Sequence, residues 1–120
     1  LRVQMHTVRA GAFAPEAAES SAAVRTRVAQ ARASAAARWQ PHGFTTNAEV
    51  SGAILRRRFR LSAPVMAPLR TALDRGLLSI RGVDRSLRVA WTLADLAGRT
   101  TPDLNDVSLA LSFRQTEITP

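Results

Sequence analysis

The stretch from Leu78 to Thr100, LSIRGVDRSLRVAWTLADLAGRT, constrains the fold more than any other, because it spells one amphipathic helix with signals at both ends. Ser79 is placed to cap its start and Gly98 to close its end in the left-handed conformation. On a 3.6-residue period Ile80, Val83, Leu87, Ala90, Ala94 and Ala97 share one flank, widened by Val89, Leu93 and Leu96, and that flank is expected to be buried. The opposite flank carries Arg81, Asp84, Arg85, Arg88, Thr92 and Asp95. Its guanidiniums, spaced four and three residues apart, could converge on an anion or could simply be solvated. Asp84 and Arg88 form an i,i+4 pair able to hold Arg88 on the helix surface.

The remaining elements follow the same grammar. Leu1 to Val8 alternates apolar and polar residues, the period of a half-buried strand, and a lone strand needs a ladder from elsewhere. Gly11 to Pro15 reads as a connector. Ser20 or Ser21 then begins a long helix to about Trp39, with Val24, Val28, Ala31 and Ala35 inward, and Pro41-His42-Gly43 breaks it. The loop through Thr45, Thr46 and Asn47 is expected to be polar and exposed, leading to a shorter helix near Ser51 to Phe59. Ser62 before Ala63-Pro64 opens another helix, because proline suits a first turn where its missing N–H costs little. Val65, Met66, Leu69 and Leu73 form its inner side and Gly76 ends it. Thr101-Pro102-Asp103 starts a last helix with Val107, Ala110 and Leu111 inward, ending near Arg114. The expectation is an all-α bundle of about five helices preceded by one N-terminal strand.

The 120 residues suffice for one core, and 46% hydrophobic with 22% charged residues is ordinary for a folded chain. All 17 basic residues are arginine, against 9 acids, for a net charge of +8. Such an excess attracts polyanions, and each phosphate contact makes binding salt-dependent. Cysteine is absent, so disulfides, a thiol nucleophile and cysteine metal sites are excluded. No metal site is expected: His6 and His42 stand alone and the acids are scattered. Neither histidine sits in a motif for activating a serine. No run is long enough for a membrane span. With no lysine, a G-x-x-x-x-G-K-[ST] phosphate loop cannot occur, so the chain by itself is not expected to hydrolyse ATP. The start at Leu1-Arg2-Val3, without methionine, suggests a piece of a longer protein.

Several residues together carry a family resemblance. The run Ser79, Arg81, Arg85, Leu87-Arg88-Val89-Ala90, Thr92 and Ala94-Asp95-Leu96-Ala97-Gly98 resembles the C-terminal domain of magnesium-chelatase-like AAA+ ATPases, in particular the competence-associated ComM/YifB type. Glu19-Ser20-Ser21, Val24-Arg25, Arg27-Val28, Ala31-Arg32, Thr46-Asn47-Ala48-Glu49 and Ala110-Leu111-Ser112-Phe113-Arg114 are similar to family landmarks in the same order. Gly82 and Trp91 depart from the pattern, where many relatives carry a helix-favouring and a basic residue. A glycine there is expected to loosen the first turn by ~1 kcal/mol relative to alanine.

The resemblance implies that residues 1–15 are a strand and connector from an upstream ATPase core, 16–115 a helical lid, and 116–120 a tail. It implies that Arg81, just after the Ser79 cap, is a sensor-2 arginine, with Arg85 a weaker second nucleotide-sensing residue and Arg88 structural. It further implies a cytoplasmic parent protein that binds ATP with magnesium, assembles with neighbouring subunits into a ring, a hexamer, and remodels DNA by branch migration. Two alternatives stand beside it: the lid of a true magnesium chelatase motor, and a free-standing basic helical module binding nucleic acid or protein. Arg56, Arg57, Arg58 and Arg60, interleaved with Phe59, form the densest charge cluster and could track a nucleic-acid backbone. Consecutive helical residues point in different directions, so a solvated or acid-paired cluster is the competing expectation.

Overall fold

A computed structural model describes residues 20–118, and this part of the chain is helical throughout, with no strand among the described residues. The expected N-terminal strand at Leu1 to Val8 lies outside them. Five α-helices follow in order: α1 Ser21–Trp39, α2 Gly52–Arg57, α3 Ala63–Asp74, α4 Ile80–Leu96 and α5 Leu104–Ile118. Two single 3-10 turns, Gln40–His42 and Asn47–Glu49, link α1 to α2. The last helix continues past Arg114, where the sequence suggested an end.

The caps set these boundaries. Ser20, Ser51 and Ser79 accept hydrogen bonds from the backbone N–H groups of Ala23, Ile54 and Gly82, at 3.1, 3.3 and 3.0 Å. At α5 Asp103 and Asp106 exchange side-chain and backbone bonds reciprocally. Gly43, Gly76 and Gly98 adopt positive φ where the chain leaves a helix.

The helix spelled by the opening motif becomes the centre of the bundle: α1, α2, α3 and α5 all pack on α4. Val83, Leu87, Ala90 and Ala94 are buried as their period requires. Ile80 is not; at the first position of α4 it is 48% exposed. Ala97, at the far end, is exposed as well. On α1, Ala31 and Ala35 are buried, while Val24 is exposed because the N-terminal half of the helix runs past the other elements.

Packing accounts for Trp91. It is buried with Trp39 and Phe59, whose rings meet edge-on at centroid distances of 4.5 to 6.0 Å. Gly82 has a comparable explanation, since a Cβ there would lie 2.6 Å from the Cδ1 of buried Leu78. Any side chain at 82 would require Leu78 to shift its own.

Candidate functional site

Two sets of arginines separate once side chains are placed. The first set is tied down. Arg38 at the end of α1 forms an ion pair with Asp95 on α4, and its Nη1 also donates to Asp95 Oδ2 at 3.1 Å. Its guanidinium carbon lies 4.4 Å from the ring centre of Trp91. Asn47 completes the group: its Oδ1 accepts from Trp39 Nε1 at 2.6 Å, and its Nδ2 donates to Thr92 and Asp95 at 3.0 Å each. Asn47 and Asp95 are buried, which corrects the expectation of an exposed loop at 47 and takes Asp95 off the polar flank where its period put it. Their polarity is satisfied inside the protein, where unpaired groups would be costly.

Arg56 and Arg88 are also engaged. Arg56 Nε donates to Asp84 Oδ1 at 2.8 Å, which raises the Arg56 pKa because the hydrogen bond favours the charged guanidinium. Asp84 thus pairs across helices with Arg56, not along the helix with Arg88. Arg88 instead donates through Nε to the backbone carbonyl of buried Val50, at 2.9 Å.

The second set is free. Arg81 and Arg85 are exposed one turn apart on α4, and among the described residues neither has an acid within salt-bridge distance. Together with Ile80, Asp84 and Arg88 they line an open groove of about 590 Å³. A neighbouring groove of about 440 Å³ shares Arg85 and Arg88 and extends over Val89 and Thr92 to Phe113. The α4 motif does bring its three guanidiniums to one depression, with the charge of Asp84 already answered by Arg56. Such a surface can receive an anion through the planar fork of a guanidinium.

The tract at 56–60 does not act as one patch. Arg56 turns inward to Asp84, Phe59 packs against Trp39, and Arg57, Arg58 and Arg60 remain exposed. Among the described residues no group of three or more His, Asp or Glu side chains is placed to hold a metal ion. No helix among them is long and apolar enough to cross a membrane.

A capped five-helix bundle around one amphipathic helix, with a free arginine face, defines a small basic all-α domain. The chain belongs to the family described as magnesium chelatase, subunit ChlI C-terminal, whose pattern matches residues 18–114. It is also 71% identical over 116 residues to uncharacterized proteins of Mycobacterium bovis and of two strains of Mycobacterium tuberculosis. The alignment covers 97% of this chain but 23% of each relative, so the chain spans about a quarter of the length of the curated relatives it matches. No solved structure matches it significantly.

Sequence reasoning missed Arg38 and Asn47 as partners of Asp95. The one available signal was that Asn47 and Asp95 both fall in family-like motifs, which says that they matter but not that they meet.

Proposed function

We propose that this chain is the C-terminal helical lid of a magnesium-chelatase-like AAA+ ATPase, in which Arg81 acts on the terminal phosphate of ATP as a sensor-2 arginine and Arg85 is a weaker second contact. The observation that supports the reading is that Arg81 and Arg85 are free on α4 and line one groove, while Arg56 and Arg88 beside them are engaged elsewhere. A guanidinium keeps its charge at any physiological pH and can hold two phosphate oxygens at once. Charge in phosphoryl transfer spreads over the equatorial oxygens, so a delivered arginine stabilises the transition state, by ~10³ to 10⁵ in rate for arginine fingers. This chain has no lysine, so the phosphate loop that holds ATP and magnesium belongs, on this reading, to an upstream core of the same longer protein. In a ring of subunits, a hexamer on this reading, the lid links the state of the nucleotide to assembly.

The test is ATP hydrolysis by the full-length protein, wild type against Arg81→Ala, with nucleotide affinity and ring assembly followed in the same samples. A large fall in turnover with assembly intact is expected. An unchanged rate returns Arg81 to the solvated face.

The parent protein, cytoplasmic on this reading, then couples hydrolysis to DNA remodelling, by resemblance to the competence-associated type. The net charge of +8 and the exposed Arg57 and Arg58 support contact with DNA. DNA is expected to change the ATPase rate of the full-length protein, and a rate indifferent to DNA at every salt concentration removes this part of the reading. A second reading, the motor of a chelatase inserting magnesium into a porphyrin, is favoured by the description of the matching family. Metallation of a porphyrin by the full-length protein with its partner subunits discriminates the two.

A further inference from the structure

Among the described residues, another depression is lined by neither Arg81 nor Arg85. It is a groove of about 640 Å³ between α3 and the first turn of α4, bounded by the 60–62 segment. Its floor is apolar: Leu61, Met66, Leu69, Leu73, Ile80 and Val83. Met66, Leu69 and Leu73 follow the 3.6-residue period of α3, so they form a continuous row along the groove. Ile80, the residue whose exposure contradicts its period, lies at one side, 48% open to solvent. A large aliphatic side chain left out of the core beside an apolar depression marks a surface that gains by being covered.

The rim decides what covers it. Of its four charged residues, Arg56, Arg60 and Arg70 are basic and Asp74 is acidic. Arg60 and Arg70 are exposed and, among the described residues, have no acid within salt-bridge distance. Arg57 and Arg58 lie just outside, on the last turn of α2. An apolar floor is of no use to a phosphodiester backbone, whose charges seek the rim alone. It suits a chain segment that carries apolar side chains on one face and carboxylates on its flanks.

We infer that the α3–α4 groove docks an acidic amphipathic helix of a partner protein, its apolar face on Met66, Leu73 and Ile80 and its carboxylates against Arg60 and Arg70. It does not rest on the role given to Arg81, which lines an adjoining groove that shares Ile80 but neither Arg60 nor Arg70. Rim charges of this kind set orientation and encounter rate more than affinity, while the apolar anchors hold the complex.

The experiment uses the full-length protein and synthetic probes of equal length. One is an amphipathic helical peptide with leucines on one face and glutamates on the other; the second replaces glutamate by arginine; the third is glutamate-rich without leucine; the fourth is oligothymidine. Binding is read by fluorescence anisotropy. The acidic amphipathic peptide is expected to bind, and the other probes not to compete with it. Ile80→Gln is expected to weaken it roughly tenfold, and Arg60→Glu with Arg70→Glu to weaken it severalfold. All three positions are exposed, so the fold survives, and an unchanged melting temperature verifies this. Equal binding by the arginine peptide or the leucine-free peptide overturns the proposal, as does competition by oligothymidine, which assigns the rim to nucleic acid. Failure of every probe also overturns it, because the groove is then covered within the full-length protein.

Discussion

Arg56 on α2 donates to Asp84 on α4 at 2.8 Å, and the close approach that makes this possible runs over Gly52, where a Cβ would lie 1.9 Å from Asp84 Oδ2. A glycine in the first turn of a six-residue helix is otherwise a poor choice, since it weakens the helix by ~1 kcal/mol relative to alanine. The ion pair and the glycine therefore form one device that docks α2 on the central helix.

Gly52→Ala is expected to displace the Asp84 carboxylate and destabilise the domain by about 1–2 kcal/mol, a typical overpacking cost. The coupling is checked in an Asp84→Ala background, where the obstructing carboxylate is gone. There the alanine at 52 is expected to be neutral or stabilising in urea unfolding. A cost that persists without Asp84 refutes the explanation.

The polar group around Asp95 gives a larger effect. Asp95 is 6% exposed, and Arg38 and Asn47 supply its partners from other elements. Removing Arg38 strands a buried carboxylate, and such losses cost about 3–5 kcal/mol. Asn47→Ala leaves Trp39 Nε1 without its acceptor, at about 1–3 kcal/mol. In a double-mutant cycle Arg38→Ala and Asp95→Ala are expected to be strongly non-additive, and additive losses refute the network.

This same group shows where reading the chain stops working. Helix starts and ends are local: Ser20, Ser51, Ser79 and the positive-φ glycines at 43, 76 and 98 announce themselves within four residues. The buried flank of α4 is likewise written in its own period. Asp95 falls on the polar flank of that period, and only partners 57 and 48 residues away explain its burial. Asp84 offers Arg88 a local partner at i+4 and takes Arg56, 28 residues back. Periodicity records what a helix can do alone, and these choices belong to packing between helices. Arg81 and Arg85 stay on the polar flank where the period puts them, since nothing in the described structure claims them.

Buried Ser86 points the other way. Its Oγ and the Nε1 of Trp91 have no hydrogen-bond partner among the described residues, and Ser86 is fully buried on α4. Ser86→Ala removes an unsatisfied hydroxyl and raises helix propensity, so it is expected to stabilise the domain by about 0.5–1 kcal/mol. Chemical denaturation measures this directly, and a loss of stability instead assigns the hydroxyl a partner, such as a buried water.

Acid is expected to loosen two helix-end contacts. Backbone N–H groups of Thr45 and Thr46 hydrogen-bond the Glu49 carboxylate, and that of Asp106 bonds Asp103, so both side chains have lowered pKa values. A group whose pKa falls on folding contributes stability above its unfolded pKa, near 4.3 for Glu and 3.9 for Asp. That contribution is present at neutral pH and is lost as the pH drops through the lowered folded values. Stability measured from pH 7 downward is expected to fall in this window, and less steeply in Glu49→Gln, which has no carboxylate to protonate. Identical acid profiles for the two proteins refute the assignment.

The three arginines of the α4 groove should differ in stability. Arg88 Nε supplies the Val50 carbonyl with a hydrogen bond beneath the surface, and Val50 is fully buried. Arg88→Ala therefore costs about 1–3 kcal/mol through an unsatisfied acceptor. Arg81→Ala and Arg85→Ala remove exposed side chains that hold nothing among the described residues, and their effect should stay within about 0.5 kcal/mol. Urea midpoints at constant slope measure all three. The contrast bears on any activity assay of the parent protein, because a defect in Arg81→Ala with native stability reports lost chemistry at the groove, whereas a defect in Arg88→Ala reports a displaced helix.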